Sequence, residues 1–411
     1  MRHHPFTVLA TALAAVLGPV WSSSAGEGAA SGAVESKAEE GAMAEPSRLT
    51  TTPEAAVPDA ATPRGNSRQD LAPLAFPVPS IAAGTATAYY VSPSGSDAHA
   101  GTSAGAPFAT IQKAMDVAPT GAVVNLAAGT YRQDVVTRRA GVTLTGPSNA
   151  VVKGAGGPRI IQDSTTLSGF TVDGPHGSST DVSGYRLKLI HVMSTTPDNG
   201  VGALRVTGMT LKNAADECLR LRYLVTGAEV NDNTISTCGV ADFKFAGGGR
   251  YGEGVYLGTA PAQQGANGAP DAAADVSRNN RIHHNTIDTQ GNDCADVKEN
   301  STNNYVEYND CTGQRDAGSG GLDARGSGNV FRRSTVYGNV GAGVRLGGDT
   351  ATDGIGTSVY GNTVTGNAGG GVKFMRTPQG PVCTNTMSGN TGGDAVGTYA
   401  SEYDPTGACP R

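Results

Sequence analysis

Lys298, Arg325 and Arg345 recur on three short strand-like stretches, residues 295–299, 322–326 and 343–347, with Asp296 and Asp323 beside them. Successive residues of a strand face opposite ways. Aligned on their inward pairs, six segments match: Leu219/Leu221, Val255/Leu257, Ala295/Val297, Leu322/Ala324, Val344/Leu346 and Val372/Phe374. The outward residues between those pairs are Arg220, Tyr256, Asp296, Asp323, Arg345 and Lys373. One outward step further on stand Arg222, Gly258, Lys298, Arg325, Gly347 and Met375. Stacked strands lie roughly 4.8 Å apart, so Lys298 and Arg325 become neighbours if their coils are consecutive.

Such a stripe suits proton removal from a carbon next to a carboxylate. The carboxylate must be neutralised by a metal or an arginine, and a base must take the proton. Lys298 is the candidate base and Arg325 its assistant, because a neighbouring cation lowers a lysine pKa toward working pH. Asp296 and Asp323 push the other way, and the sequence leaves the balance open. Arg345, Tyr256, Asp296, Asp323, Arg222 and Lys373 are the candidate substrate contacts. A plain surface ion-pair ladder is the structural alternative.

A second alignment falls out of the same register. Glu217, Glu253 and Asp293 each precede the second inward residue by four positions. Carboxylates stacked at one corner repel unless a cation sits among them, and Ca²⁺ suits such ligands. A solvated acidic edge, or pairing with Arg220, Arg222 and Lys298, is the competing reading.

The elements that position these residues follow from composition and repeats. With 59 Gly among 411 residues and 5% aromatics, the chain suits short strands joined by tight turns better than a helical bundle. From residue 123 on, strand-like units recur roughly every 22 to 40 residues, the range of solenoid coils. Asn233, Asn285, Asn309, Asn339, Asn362 and Asn385 look like one recurring turn element. Asn tolerates left-handed backbone there, and its amide can bond from coil to coil. Phe108, Ile111, Ala114 and Met115 lie on one face of a short helix. Such a helix would cap the open end of the first coil.

The N-terminus reads as an export signal: Arg2, His3 and His4, an apolar run from Phe6 to Trp21, then small residues to Ala25. The expected organisation is a signal peptide at residues 1–25, a low-complexity linker at 26–86 and the repeat domain at 87–411. Six cysteines agree with an oxidising compartment. Stacked coils favour the pairs Cys218/Cys238, Cys294/Cys311 and Cys383/Cys409, although spacing alone does not prove them. A zinc site is the weaker reading, since no close Cys-x-x-Cys pair exists. No later stretch is apolar enough to span a membrane, and the net charge of −6 makes nucleic acid a poor default partner. The expected product is a secreted monomer.

The segment from Tyr89-Tyr90-Val91-Ser92-Pro93 through Pro107-Phe108-Ala109-Thr110-Ile111-Gln112-Lys113-Ala114, continued by Gly129-Thr130-Tyr131, resembles the opening of secreted pectin lyase-like polysaccharide lyases. The resemblance implies an all-β fold, a single-stranded right-handed parallel β-helix with an N-terminal capping helix; the right hand also follows the general crossover preference. The order Lys298, Arg325 and Gly343-Val344-Arg345-Leu346-Gly347 resembles polysaccharide lyase family 6, the alginate lyase and chondroitinase B group. Asp293 stands where that family has a calcium-binding acid. Gly291 occupies the place of another, and Gly326 that of a histidine. This likeness implies β-elimination on a uronic-acid polysaccharide. The alternatives are a uronan epimerase, a glycoside hydrolase using Asp296 and Asp323, and a non-catalytic carbohydrate-binding or surface-structural β-helix.

Overall fold

Three parallel sheets of 11, 10 and 10 strands run the length of the repeat domain in the computed structural model. The structure describes residues 86–409 apart from 157, 179 and 247–250. The expected signal peptide and all but the last residue of the linker lie outside the described residues. Each coil gives one strand to each sheet, so sheet neighbours are three strands apart in sequence, except that Ala88–Val91 pairs with the next strand, Val123–Leu126; every ladder is parallel. This is the right-handed parallel β-helix expected from the sequence. Among the described residues no helix is long and apolar enough to cross a membrane.

Most strands are only three residues long. Where the central residue of such a strand faces inward, its two neighbours face out, and Val230, Ile282, Val306, Phe331 and Val359 stack this way as fully buried rungs. A second sheet stacks Leu211, Ile235, Ile287, Cys311, Val336 and Val364 likewise. Each fully buried aliphatic side chain contributes roughly 1.5–3 kcal/mol.

The turns depart from expectation in an instructive way. The ladder asparagines do not take the left-handed conformation. The residue before each does: Asp232, His284, Tyr308, Gly361 and Thr384 have φ of 57°, 54°, 55°, 66° and 52°. The asparagine that follows is buried, and its amide runs from coil to coil. Asn233 Nδ2 donates to Asn285 Oδ1 (2.8 Å), Asn285 Nδ2 to Asn309 Oδ1 (2.9 Å), and Asn362 Nδ2 to Asn385 Oδ1 (2.9 Å). Ser334 fills the gap, accepting from Asn309 N (3.1 Å). Asn339 belongs to a different ladder, with Asn367 and Asn390, at another corner. A third ladder joins Asn280, Asn304 and Asn329.

The capping helix spans Ile111–Val117, capped by the Thr110 side chain, and buries Ile111, Ala114 and Met115 over the first coil. Phe108 shares the buried cluster but precedes the helix, because its backbone bonds Tyr90 and Ser92 instead. At the other end Tyr403 stacks on Phe374, 4.4 Å between centroids. All three disulfides pair as the coil stacking suggested: Cys218–Cys238, Cys294–Cys311 and Cys383–Cys409.

Candidate functional site

The third sheet carries the charged stripe, and its register is the one read from the sequence. Arg220, Tyr256, Asp296, Asp323, Arg345 and Lys373 are successive Cα partners across five strand pairs. The row extends backwards through His191 to Arg159. The inward residues on either side, such as Ala295, Val297, Leu322 and Ala324, are fully buried. Just past the strands, Lys298 N bonds Leu257 O (2.8 Å) and Arg325 N bonds Val297 O (2.9 Å), which places these two side chains on adjacent coils.

The stripe is not a solvated edge. Asp296 and Asp323 are fully buried, and Lys298 and Arg325 are each only 5% exposed. The loop after Leu257 folds back over the Arg220 end of the row. Lys298 Nζ pairs with Asp296 Oδ2 at 2.8 Å and lies 4.5 Å from the centroid of the Tyr256 ring. Arg325 Nε pairs with Glu299 Oε1 at 2.7 Å, and its Nη2 meets Asp349, whose side chain is 48% exposed. Arg345 Nη1 bonds both oxygens of Asp323 at 3.1 Å.

These contacts settle the balance at Lys298. Burial pushes its pKa down and Arg325 does so further, but Asp296, helped by Tyr256 and Glu299, outweighs both. The amine is held well above its ordinary value, hence protonated. Glu253 is pushed well above the usual carboxylate range, first by burial and then by Glu217, Asp293 and Asp296, with Lys298 opposing.

The acidic corner assembles differently from the sequence alignment. Glu217 is taken up by Arg220 and by Lys188 (2.9 Å), and these two cations overcome burial to hold its pKa low. Asp296 stands in its place: oxygens of Glu253, Asp293 and Asp296 all lie within 4.8 Å of one another, and all three residues are buried. Asp296 Oδ1 makes no hydrogen bond among the described residues. Three hard oxygen donors with one orphaned oxygen fit a Ca²⁺-type ion. The Cys294–Cys311 bridge anchors the residue next to Asp293, and Ser319 Oγ hydrogen-bonds both Asp293 and Asp323.

Arg222 is not brought to the row. Its Nη2 donates to Gln263 O (2.8 Å) and Ala266 O (2.7 Å), fastening a loop. Lys373 is partly buried, and no ion pair or hydrogen bond holds its ammonium among the described residues. Glu299 and Asp349, the partners of Arg325, were not singled out in the sequence. Glu299 follows Lys298 directly, and alternation would point it inward. It reaches Arg325 because the strand ends at Val297.

Solved structures share this fold at low identity. The alginate lyase from Paenibacillus sp. str. FPU-7 is 17% identical over 69% of this chain and 96% of its own, TM-score 0.48. Pectate lyase Pel9A is 15% identical over 75% and 78%, TM-score 0.50. The A-module of the Azotobacter vinelandii mannuronan C-5 epimerase AlgE6 is 16% identical over 73% and 94%, TM-score 0.38. The likeness to Pel9A agrees with the β-helix that the strand order shows and leaves the chemistry to the residues. No curated protein sequence matches the chain. The family described as "Protein of unknown function (DUF1565)" matches residues 93–337, more than half of the chain, and the protein belongs to that family.

Proposed function

We propose that the protein is a secreted polysaccharide lyase acting as a monomer on a uronic-acid-containing polysaccharide, with Lys298 as base and Arg325 assisting. The observation that carries this reading is the pair of adjacent coils that sets Lys298 and Arg325 side by side, next to the buried carboxylates of Glu253, Asp293 and Asp296. Pectate lyase Pel9A, with the same fold, makes acidic polysaccharides the first substrates to try. Three disulfides favour an oxidising compartment.

In the elimination, the base takes the proton on the carbon alpha to the uronate carboxylate. The electron pair forms a double bond to the neighbouring carbon, the glycosidic C–O bond there breaks, and the departing oxygen takes up a proton. Arg325 offsets the charge that develops on the substrate carboxylate. Arg345 and Lys373 continue the basic side of the row and hold further carboxylates. Glu253, Asp293 and Asp296 would hold Ca²⁺, which supplies positive charge beside Asp296. Lys298 must give up its proton to act, and offsetting the charge of Asp296 removes the main influence that keeps it protonated.

The test is incubation of the full exported chain with alginate, pectate, glucuronan and glycosaminoglycans, with and without calcium, following the absorbance of unsaturated product. Product formation lost in Lys298→Ala supports the reading. Glycan binding without product favours a carbohydrate-binding β-helix, and altered sugar configuration without cleavage favours an epimerase. One observation supports hydrolysis as a second reading. Asp296 and Asp323 are Cα partners on adjacent strands, a carboxylate pair of the kind a hydrolase uses. New reducing ends without unsaturation would select it.

A further inference from the structure

The outward row is closed on one side of Lys298 and open on the other. The connection from Leu257 to Arg281 is far longer than its counterparts in the next two coils, from Val297 to Tyr305 and from Ala324 to Val330. Its excess chain folds back toward the N-terminal coils and is fastened there at several points. Gln263 Oε1 accepts from Arg220 Nη2 (2.9 Å), and Arg222 holds the carbonyls of Gln263 and Ala266. Asp271 accepts from the Tyr223 hydroxyl and from Asp198 N (3.3 Å). Buried Asp275 accepts from Tyr223 N (2.7 Å), Leu224 N (2.8 Å) and the Thr259 hydroxyl (2.7 Å). Under this strap Arg220, Tyr256 and Arg222 lose nearly all exposure.

Toward the C-terminal coils the corresponding connection, from Leu346 to Ser358, is shorter, and among the described residues it is held at Arg325 and Arg376 beside the row. The Arg345 side chain keeps 13% of its exposure, Lys373 beyond it is partly exposed, and Asp349 on the loop beside them is half-exposed. A polyanionic chain lying across the sheet meets cations and solvent in this direction, and a wall of backbone in the other.

We infer that residues 258–275 form the end wall of the substrate groove, so that the protein engages an acidic polysaccharide at a chain end and removes units from that end. This rests on the lyase reading above and specifies how that site takes its substrate. A wall tied by four side chains, Arg220, Arg222, Asp271 and Asp275, is a fixed part of the binding surface.

The experiment uses the full chain with alginate and polygalacturonate, each prepared as a series of mean lengths and supplied at equal mass. The expected result is a rate proportional to the number of chain ends: halving the mean length doubles the rate, one size of unsaturated product dominates from the first time point, and viscosity falls late. Rates independent of length, with mixed product sizes and early loss of viscosity, would overturn the end wall while leaving the lyase reading intact. The same series in a binding measurement with Lys298→Ala decides the point without turnover. Affinity constant per chain supports the inference, and affinity constant per sugar unit overturns it. Absence of product and binding with these and with the glucuronan and glycosaminoglycans tested above overturns the inference and the lyase reading together. Arg222→Ala, which releases two strap carbonyls, should shift the wild-type product pattern toward internal cuts.

Discussion

Lys298 Nζ sits 2.8 Å from Asp296 Oδ2, two residues back along the same chain, and this pair sets the state of the amine. Asp296 also belongs to the corner shared with Glu253 and Asp293. One carboxylate thus touches both the candidate base and the candidate cation site. Its neutralisation on one side bears directly on the proton held on the other.

Replacing Lys298 by Ala should reduce formation of unsaturated product by about 10²-fold or more, the usual scale for a general base. Glycan binding should survive, because Arg345 and Lys373 remain. Absorbance kinetics and a binding isotherm on the same preparation check this. Turnover undiminished in Lys298→Ala would remove the residue from the mechanism.

Calcium should raise the melting temperature of the wild-type protein. At about 100-fold excess over the dissociation constant, a site confined to the folded state contributes about 2.7 kcal/mol. Asp293→Asn and Glu253→Gln should abolish that shift while Glu217→Gln keeps it, since Glu217 is held by Arg220 and Lys188. A thermal scan with calcium and with chelator reads the result independently of activity. A shift that is absent in the wild type, or that disappears with Glu217→Gln alone, would count against this corner.

His191 lies between Arg159 and Arg220 in the outward row. Burial, followed by Lys188, Arg220 and Arg159 and opposed by Glu217, brings its pKa down to about 3. The unfolded chain therefore binds this proton more tightly between that value and its ordinary pKa of about 6.5. Stability should be lost as pH falls through that window. In His191→Gln the slope should flatten by about 1.4 kcal/mol per pH unit within it. Denaturant midpoints from pH 4 to 7 give the comparison, and parallel slopes would show that the imidazole is not responsible.

Asn285→Ala should be among the costlier single changes outside the apolar core. The Asn285 amide donates to Val230 O and Asn309 Oδ1, and its Oδ1 accepts from Asn233 N and Nδ2. Removing it strands several buried polar groups at about 1–3 kcal/mol each. Equilibrium unfolding should show a loss of at least about 2 kcal/mol on that basis. A loss below about half that would mean that the neighbouring coils re-pair around the gap.

The β-helix, the disulfides and the outward row were legible because they follow from local rules. Alternation along a strand fixes which residues face out, and equal coil spacing then lines up Tyr256, Asp296, Asp323 and Arg345 without further information. The same rules misplaced details that depend on more than one coil. Asn339 was grouped with Asn309 and Asn362 by its short-range context, yet the corner it occupies belongs to Asn367 and Asn390.

Burial and charge pairing around the row belonged to the tertiary structure. Glu217 is bound by Arg220 and by Lys188, from the preceding coil, and does not join Asp293 and Asp296 as a metal-ligating group. Arg325 gained Glu299 and Asp349, and the strap at residues 258–275 covered Arg220 and Tyr256. Periodicity sets a residue's face and its height along the axis. The path of an inserted loop obeys no period, and the loop determines which charges meet and which are taken out of water. By itself the sequence determined which side chains stand in the row, and only the folded chain decided which of them remain open to a ligand.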